Sequence, residues 1–389
     1  MMVLYYTFIQ GVGISIAYFL DPRYTVDQVM RAKFFYGEYV DKYIALMLLA
    51  VSIAMIATII NTRNVREEKK YQESLQTYIS KVFFFLGILL LLFFTVFMVI
   101  NLVTGNVVIG NYESYKRWAN SNVIRNYSQI GYWIASIFIC ACGTKKQIGI
   151  SFFIFLIPSV ILVVAGNRND IMFPLLIGLG LYYLRFKKVP KSIIILILVF
   201  IFIMFPLIIQ LRNGVITQNT GATLIYSSFI TRIAETFFEL GGQLHAVSNM
   251  FEWLNNGESK AYGLTYIYGF MASLFGALIP EIRVFFEGSR YYLSERLPSL
   301  GFAMSAEVYF NFGILGVIIV YWLIGMYISK YETRERTEKE LIKYGFVMLW
   351  LLILVRNSFG YSLVYAKVFV VLYFAGVCYL STRKGSKST

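Results

Sequence analysis

Histidine is almost absent from this chain: His245 stands alone among 389 residues, beside three cysteines. A lone imidazole excludes any multi-histidine metal centre and the H-E-x-x-H hydrolases. Cys140, Cys142 and Cys378 all fall in apolar runs, so neither a disulfide framework nor a thiolate metal site is expected. No Asp-x-Asp pair and no G-x-x-x-x-G-K-[ST] loop occurs. A carboxylate-clamped metal on a nucleotide sugar is therefore not expected, and ATP-driven transport by this chain alone is excluded. Acidic residues are nearly missing from the apolar runs, which counts against proton- or sodium-coupled transport. No metal and no cofactor is expected. Charged residues make up only 14% of the chain, against about 25% in soluble domains.

What is present is hydrophobic: 58% of residues, with aromatics at 18%. That much apolar surface cannot hide in one aqueous core, so the expected class is an all-α polytopic membrane protein. About ten runs approach the length that crosses a bilayer. They centre on residues 4–20, 43–60, 82–103, 128–142, 148–165, 171–184, 193–210, 302–329, 344–358 and 361–381. The first lacks a basic leader and a small-residue cleavage site and reads as a retained span.

Charge sets the orientation. "NTRNVREEKKYQESLQTYISK", "TKKQ", "RFKKVPKS", "KYETRERTEKELIK" and the tail "RKGSKST" are short and basic, hence cytoplasmic by the positive-inside rule. They hold most of the +14 net charge, so that charge is topogenic and no nucleic-acid partner is expected. The segment "YGLTYIYGFMASLFGALIP", 262–280, would invert the last loop if it crossed, and is read as re-entrant or interfacial. The expected organisation is N-terminal spans over 1–210, a large external loop over 211–301 and C-terminal spans over 302–389. The loop should carry an amphipathic helix over 222–240 stopped by Gly241 and Gly242, then a short helix stopped by "NNG" at 255–257.

The basic residues also divide by type. Cytoplasmic loops carry thirteen Lys against six Arg; the outer side carries five Lys against eleven Arg. Orientation needs only charge, so arginine outside points to planar, bidentate recognition of phosphate or carboxylate. Ordinary structural ion pairs are the plainer reading.

Candidate site residues gather on that outer side. "VVAGNRNDIMFP" places Arg168 on a tight hairpin between two spans, where Asn169 or Asp170 can cap the returning helix; a capped turn with a snorkelling arginine is the simple alternative. Arg212 follows a span end. Arg232, Glu235 and Glu239 share a helix face, which an i, i+3 ion pair would also explain. Arg283, Arg290 and Arg296 lie in "EIRVFFEGSRYYLSERLPSLG", and Arg356 ends another outward span. Glu307 falls one to two turns inside the next span, with Asn311 on the same face. A carboxylate there must pair with an arginine, protonate or act as a base. His245 is the other candidate base.

Three of these features resemble the Wzy-type O-antigen or oligosaccharide repeat-unit polymerases. They are the G-x-R at an outer span end, here "AGNRND"; the large arginine-bearing external loop; and "GFAMSAEVYFNFGILG", which is similar to the family's pattern of small residues, a Glu, aromatics, then Asn-Phe-Gly-x-x-Gly. The resemblance covers roughly residues 80 to 380. It implies a helical, GT-C-like glycosyltransferase of the bacterial cytoplasmic membrane, working at its external or periplasmic face. The growing glycan on undecaprenyl pyrophosphate would be moved onto a lipid-linked repeat unit, with a flippase and a chain-length regulator of the same pathway as partners. Arg168, Arg212, Arg232, Arg283, Arg290 and Asn311 would hold pyrophosphate and substrate, and Glu307, before His245, would be the base. External tyrosines such as Tyr262, Tyr266 and Tyr268 are candidates to stack on sugars, an interfacial aromatic belt being the plainer reading. An O-antigen ligase or a lipid-linked oligosaccharide flippase is the alternative.

Overall fold

The computed structural model describes residues 2–23, 25, 39–63, 78–108, 111–167, 169–186, 189, 191, 229–242, 244–275, 279–296, 302–333, 337–363 and 365–366. Arg168, Arg212, the run 193–210 and most of 361–381 lie outside these residues. The described residues are helical, with no strand among them. In chain order the helices are α1 (Met2–Leu20), α2 (Val40–Arg63), α3 (Tyr78–Val103), α4 (Tyr112–Ser121), α5 (Val123–Cys142), α6 (Lys145–Val164), α7 (Asn169–Phe186), α8 (Phe229–Leu240), α9 (Leu244–Asn255), α10 (Leu264–Phe275), α11 (Pro280–Glu287), α12 (Leu293–Arg296), α13 (Met304–Thr333) and α14 (Glu338–Arg356). Four stretches among the described residues are long and apolar enough to cross a membrane: Asp41–Thr62, Ser80–Val103, Lys145–Val164 and Met304–Lys330. This is a polytopic membrane protein.

In hydrocarbon, helices gain little from hiding apolar side chains from one another, so close backbone approach and polar contacts hold them together. The seam between α2 and α13 shows how. A Cβ on Gly325 would fall 2.3 Å from the Ala54 carbonyl oxygen, and Thr58 donates to Ala54 O at 2.7 Å and to Gly325 O at 3.2 Å. Aromatic rings make a second kind of seam. Phe94 of α3, Tyr132 of α5 and Phe155 of α6 stack in a ladder at 4.5 and 4.9 Å, and the Tyr132 hydroxyl lies 3.0 Å from Ser159 Oγ. Part of the aromatic excess is therefore core.

α8 lies along α1. Thr231 donates to Asp21 at 2.5 Å near one end. Near the other, a Cβ on Gly13 would meet the Phe237 carbonyl at 2.5 Å and Gly241 N at 2.9 Å. The Gly241–Gly242 turn that stops α8 thus also lets it touch a helix of the bundle. α10 is twelve residues long, about 18 Å at the helical rise, short of the roughly 30 Å hydrocarbon core. Contacts define two ends of the bundle. Phe302 donates to the Arg356 carbonyl at 3.0 Å, where α13 begins and α14 stops. Arg185 at the far end of α7 donates to Gly143 O at 2.5 Å, just past the end of α5.

Candidate functional site

The motif "FNFGILG" interrupts α13. Gly313 has φ 66° and ψ −158°, a backbone region essentially reserved for glycine. The break leaves carbonyls of the preceding turn without helical partners, and a neighbouring loop supplies them. Ala261 N donates to Phe310 O at 3.0 Å and Tyr262 N to Asn311 O at 3.2 Å, while Gly263 N donates to Asn311 Oδ1 at 2.8 Å. To aim three successive N–H groups at one spot, the loop holds Tyr262 at φ 47° and Gly263 at φ 90°. Irregular backbone at membrane depth survives only where other protein groups satisfy it. Lys260 sits over the break: a Cβ on Gly313 would lie 2.7 Å from its ammonium.

Glu307 is built into the same knot. Its Oε1 accepts from Thr265 Oγ1 at 2.9 Å and its Oε2 from Phe359 N at 2.7 Å. Asn311 Nδ2 donates to Thr265 Oγ1 at 2.6 Å and to the Glu307 carbonyl at 2.7 Å. Glu307 and Asn311 are 2% and 0% exposed, so this carboxylate is fully desolvated. No cation pairs with it among the described residues. Its described partners are a hydroxyl and a backbone N–H, which Glu307 uses to tie α10 and the turn after α14 to α13.

Behind Trp253, and lined by none of the knot's own residues, lies an open cavity of about 980 Å³, walled among others by Trp253, Glu258, Glu287, Ser289, Arg290 and Arg296. Its wall follows from how α9 ends. Gly257 (φ 89°), with Gly257 N donating to Leu254 O at 3.3 Å and Glu258 N to Trp253 O at 3.0 Å, closes the helix in a Schellman turn. That turn delivers Glu258 to Arg296. The two meet as a bidentate pair at 2.8 and 2.9 Å, and the guanidinium stacks 3.4 Å over the Trp253 ring. Trp253 rests on Phe302 and Phe310, with centroids at 6.3 and 6.2 Å. These two residues bracket Glu307 along the chain, so the cavity wall and the knot share one helix start.

The arginines fall into two groups. Arg296 turns its fork on the Glu258 carboxylate, and Arg125 pairs with Asp170 through one guanidinium nitrogen while another donates to Asn126 at 3.2 Å. Arg290 is exposed at the cavity rim and donates to the Tyr291 hydroxyl at 2.6 Å. That bond, the largest cause, holds its guanidinium pKa above the usual value. The side chains of Arg232, Arg283 and His245 are not among those described; their backbones lie in α8, α11 and α9. Of the tyrosines proposed to stack on sugars, Tyr266 is packed between Phe312 and Phe359 and Tyr268 against Phe286 and Tyr291, while Tyr262 is exposed.

The hairpin around the undescribed Arg168 is tethered rather than simply capped. Gly166 (φ 82°) ends α6 in another Schellman turn, with Asn167 N donating to Leu162 O at 2.8 Å. The carboxylate of Asp170 faces inward instead of capping α7. It accepts from Arg125, Gln129 and Asn167, and Trp133 Nε1 donates to its backbone carbonyl at 3.1 Å. Tyr115 closes the cluster, accepting from Arg125 at 2.7 Å; burial pushes its phenol up to about 12, so it stays neutral. Arg125 and Gln129 are the partners of Asp170 that the sequence reading did not name. Their i, i+4 spacing at the start of an apolar helix was the available signal.

The chain matches the family described as O-antigen polysaccharide polymerase Wzy over residues 1–384. It belongs to that family. It is also 27% identical over 290 residues to Protein CapE of Staphylococcus aureus, a match covering 72% of this chain and 62% of CapE. The chain thus spans less than two thirds of that relative's length. No solved structure matches.

Proposed function

We propose that this Wzy-family member is a lipid-linked repeat-unit polymerase whose reaction takes place where α13 begins. One observation carries this reading: a broken membrane helix holds a buried carboxylate one aromatic layer, Trp253 on Phe302 and Phe310, away from a cavity walled by Trp253, Arg296 and Arg290. Such a cavity suits a glycan carrying phosphate. Sugar hydroxyls hydrogen-bond planar charged groups such as the Arg296–Glu258 pair, and Arg290 is an exposed cation at the rim that forms no ion pair with a carboxylate among the described residues. In the proposed step a hydroxyl of the lipid-linked acceptor attacks the anomeric carbon of the donor glycan. The anomeric C–O bond breaks, and undecaprenyl pyrophosphate leaves with the bonding electrons. Fixed guanidinium groups stabilise the departing charge; Arg290, with Arg168 and Arg212 from the undescribed stretches, is assigned that task. The acceptor proton goes to Glu307. The Thr265 hydroxyl already occupies the hydrogen bond that an acceptor hydroxyl would need, so the substrate takes the place of Thr265 on Oε1.

The family, the helical membrane fold and the site geometry support this reading; the GT-C-like relationship and the external-face orientation belong to the same proposal. The test uses the purified full chain in nanodiscs with the host's undecaprenyl-pyrophosphate repeat unit, without nucleotide sugar, with and without EDTA. A product ladder in both arms is expected. Glu307→Gln should abolish it, while Thr265→Val should leave most of it. If Thr265→Val is as inactive as Glu307→Gln and both remain folded, Glu307 is a positioning residue only. A wild-type chain that forms no ladder but transfers finished glycan to a different acceptor is a ligase.

A further inference from the structure

A second cavity takes no part in the site above. About 430 Å³ in volume, it runs between α3, α5, α6 and α7 and is lined by Leu91, Ile139, Lys145, Gly149, Phe153 and Gly178 among others. It lies toward the end of the bundle marked by Lys145 and Phe186, opposite the end that holds Glu307. Its two glycines do not serve close packing. A Cβ on Gly149 would touch nothing within 4 Å, and one on Gly178 would meet only Cys140 Sγ, at an ordinary 3.4 Å. They leave room instead of bringing backbones together, unlike Gly325 at the α2–α13 seam.

The room asks for hydrocarbon. The serine hydroxyls on its walls are already satisfied: Ser136 donates to Trp133 O and Ser151 to Gln147 O, both at 2.8 Å. Water there would find few partners. Phe153 and Ile150, beside the groove on α6, are exposed on the helix surface, so lipid reaches it from the side. At its mouth stands a cation. Lys145 is the first residue of α6, with its ammonium 5.2 Å from the Phe186 ring centroid, and Lys146 beside it is exposed. A positive charge at the end of an apolar trench matches a phosphate at the end of an acyl chain.

We propose that this groove binds one acyl chain of an anionic phospholipid from the leaflet at the Lys145 end, with the lipid phosphate on Lys145. The site stands independently of the polymerase reading. The test is native mass spectrometry of the full chain in non-ionic detergent, titrated separately with dioleoyl phosphatidylglycerol, dioleoyl phosphatidylcholine and undecaprenyl phosphate. Phosphatidylglycerol should bind about fivefold more tightly than phosphatidylcholine, the factor expected for one basic residue at an anionic headgroup. Lys145→Gln should erase that preference while both phospholipids still bind. Gly149→Trp, which fills the trench, should remove the tightly held adduct. Where Gly149→Trp does not purify folded, Gly178→Leu takes its place. Equal binding of the two phospholipids to the wild type, or a phosphatidylglycerol adduct undiminished in the groove-filling variant, overturns the proposal. So does retention of undecaprenyl phosphate alone, lost on filling, which would make the groove a polyprenyl site.

Discussion

Gly313→Ala isolates the break in α13 from everything around it. At φ 66° and ψ −158° an alanine is held in a region that costs about 1–3 kcal/mol. Steric clash is not the source: the nearest atom to the new Cβ is Lys260 Nζ, at 2.7 Å, the free end of a flexible chain. The helix can escape the strain only by running straight through position 313. Phe310 O and Asn311 O would then return to helical partners, and the Ala261 and Tyr262 N–H groups would lose their acceptors, at about 1 kcal/mol each. Either route makes the variant about 1–3 kcal/mol less stable. Gly149→Ala is the matched control. It lies inside α6 with open space around its Cβ and should gain up to about 1 kcal/mol from helix propensity. Both variants would be unfolded thermally in one detergent at one scan rate, because membrane-protein unfolding is commonly irreversible. The Gly313→Ala midpoint should fall below the wild type, Gly149→Ala should not, and only Gly313→Ala should shorten the polymer. A Gly313→Ala midpoint at or above the wild type would refute the reasoning, since a continuous helix would then hold Glu307 as well as a broken one.

The other predictions concern the partners of this site and the bundle seam. Asp170→Ala leaves Arg125 buried without its counter-ion and should cost about 3–5 kcal/mol; Arg125→Met with Asp170→Leu should recover much of that midpoint, and a recovered but inactive double variant would show that the cluster does more than stabilise. Gly325→Ala must push α2 and α13 apart, because the Cβ would sit 2.3 Å from a backbone oxygen; a loss of about 1–3 kcal/mol is expected, and an unchanged midpoint would contradict the seam. Tyr262→Gly should hold or raise stability by about 1 kcal/mol, since it relieves a left-handed non-glycine residue. Arg296→Lys should shorten the ladder more than it lowers the midpoint, because lysine keeps the charge but loses the fork on Glu258 and the stack on Trp253; an unchanged ladder would remove the pair from the site.

Run length and turn chemistry were readable without coordinates. The apolar runs around Ile53, Phe94, Phe155 and Val317 are membrane-length helices because a backbone in hydrocarbon must satisfy its own hydrogen bonds. The "NNG" ending α9 and the Gly241–Gly242 pair ending α8 were legible because a helix stop asks for a residue that tolerates positive φ. Family membership was legible from "GFAMSAEVYFNFGILG". Tertiary structure alone decided which face of each helix meets which neighbour. A helix in lipid is apolar all round, so the 3.6-residue period that marks a buried face in water is largely erased. Hence Arg125 gave no sign of Asp170, 45 residues away, and Glu307 gave none of Thr265 and Phe359, 42 and 52 residues distant. The break at Gly313 has the same origin. Glycine permits both a helical and a broken backbone there, and the loop at 261–263 selects the broken one by filling the carbonyls it frees.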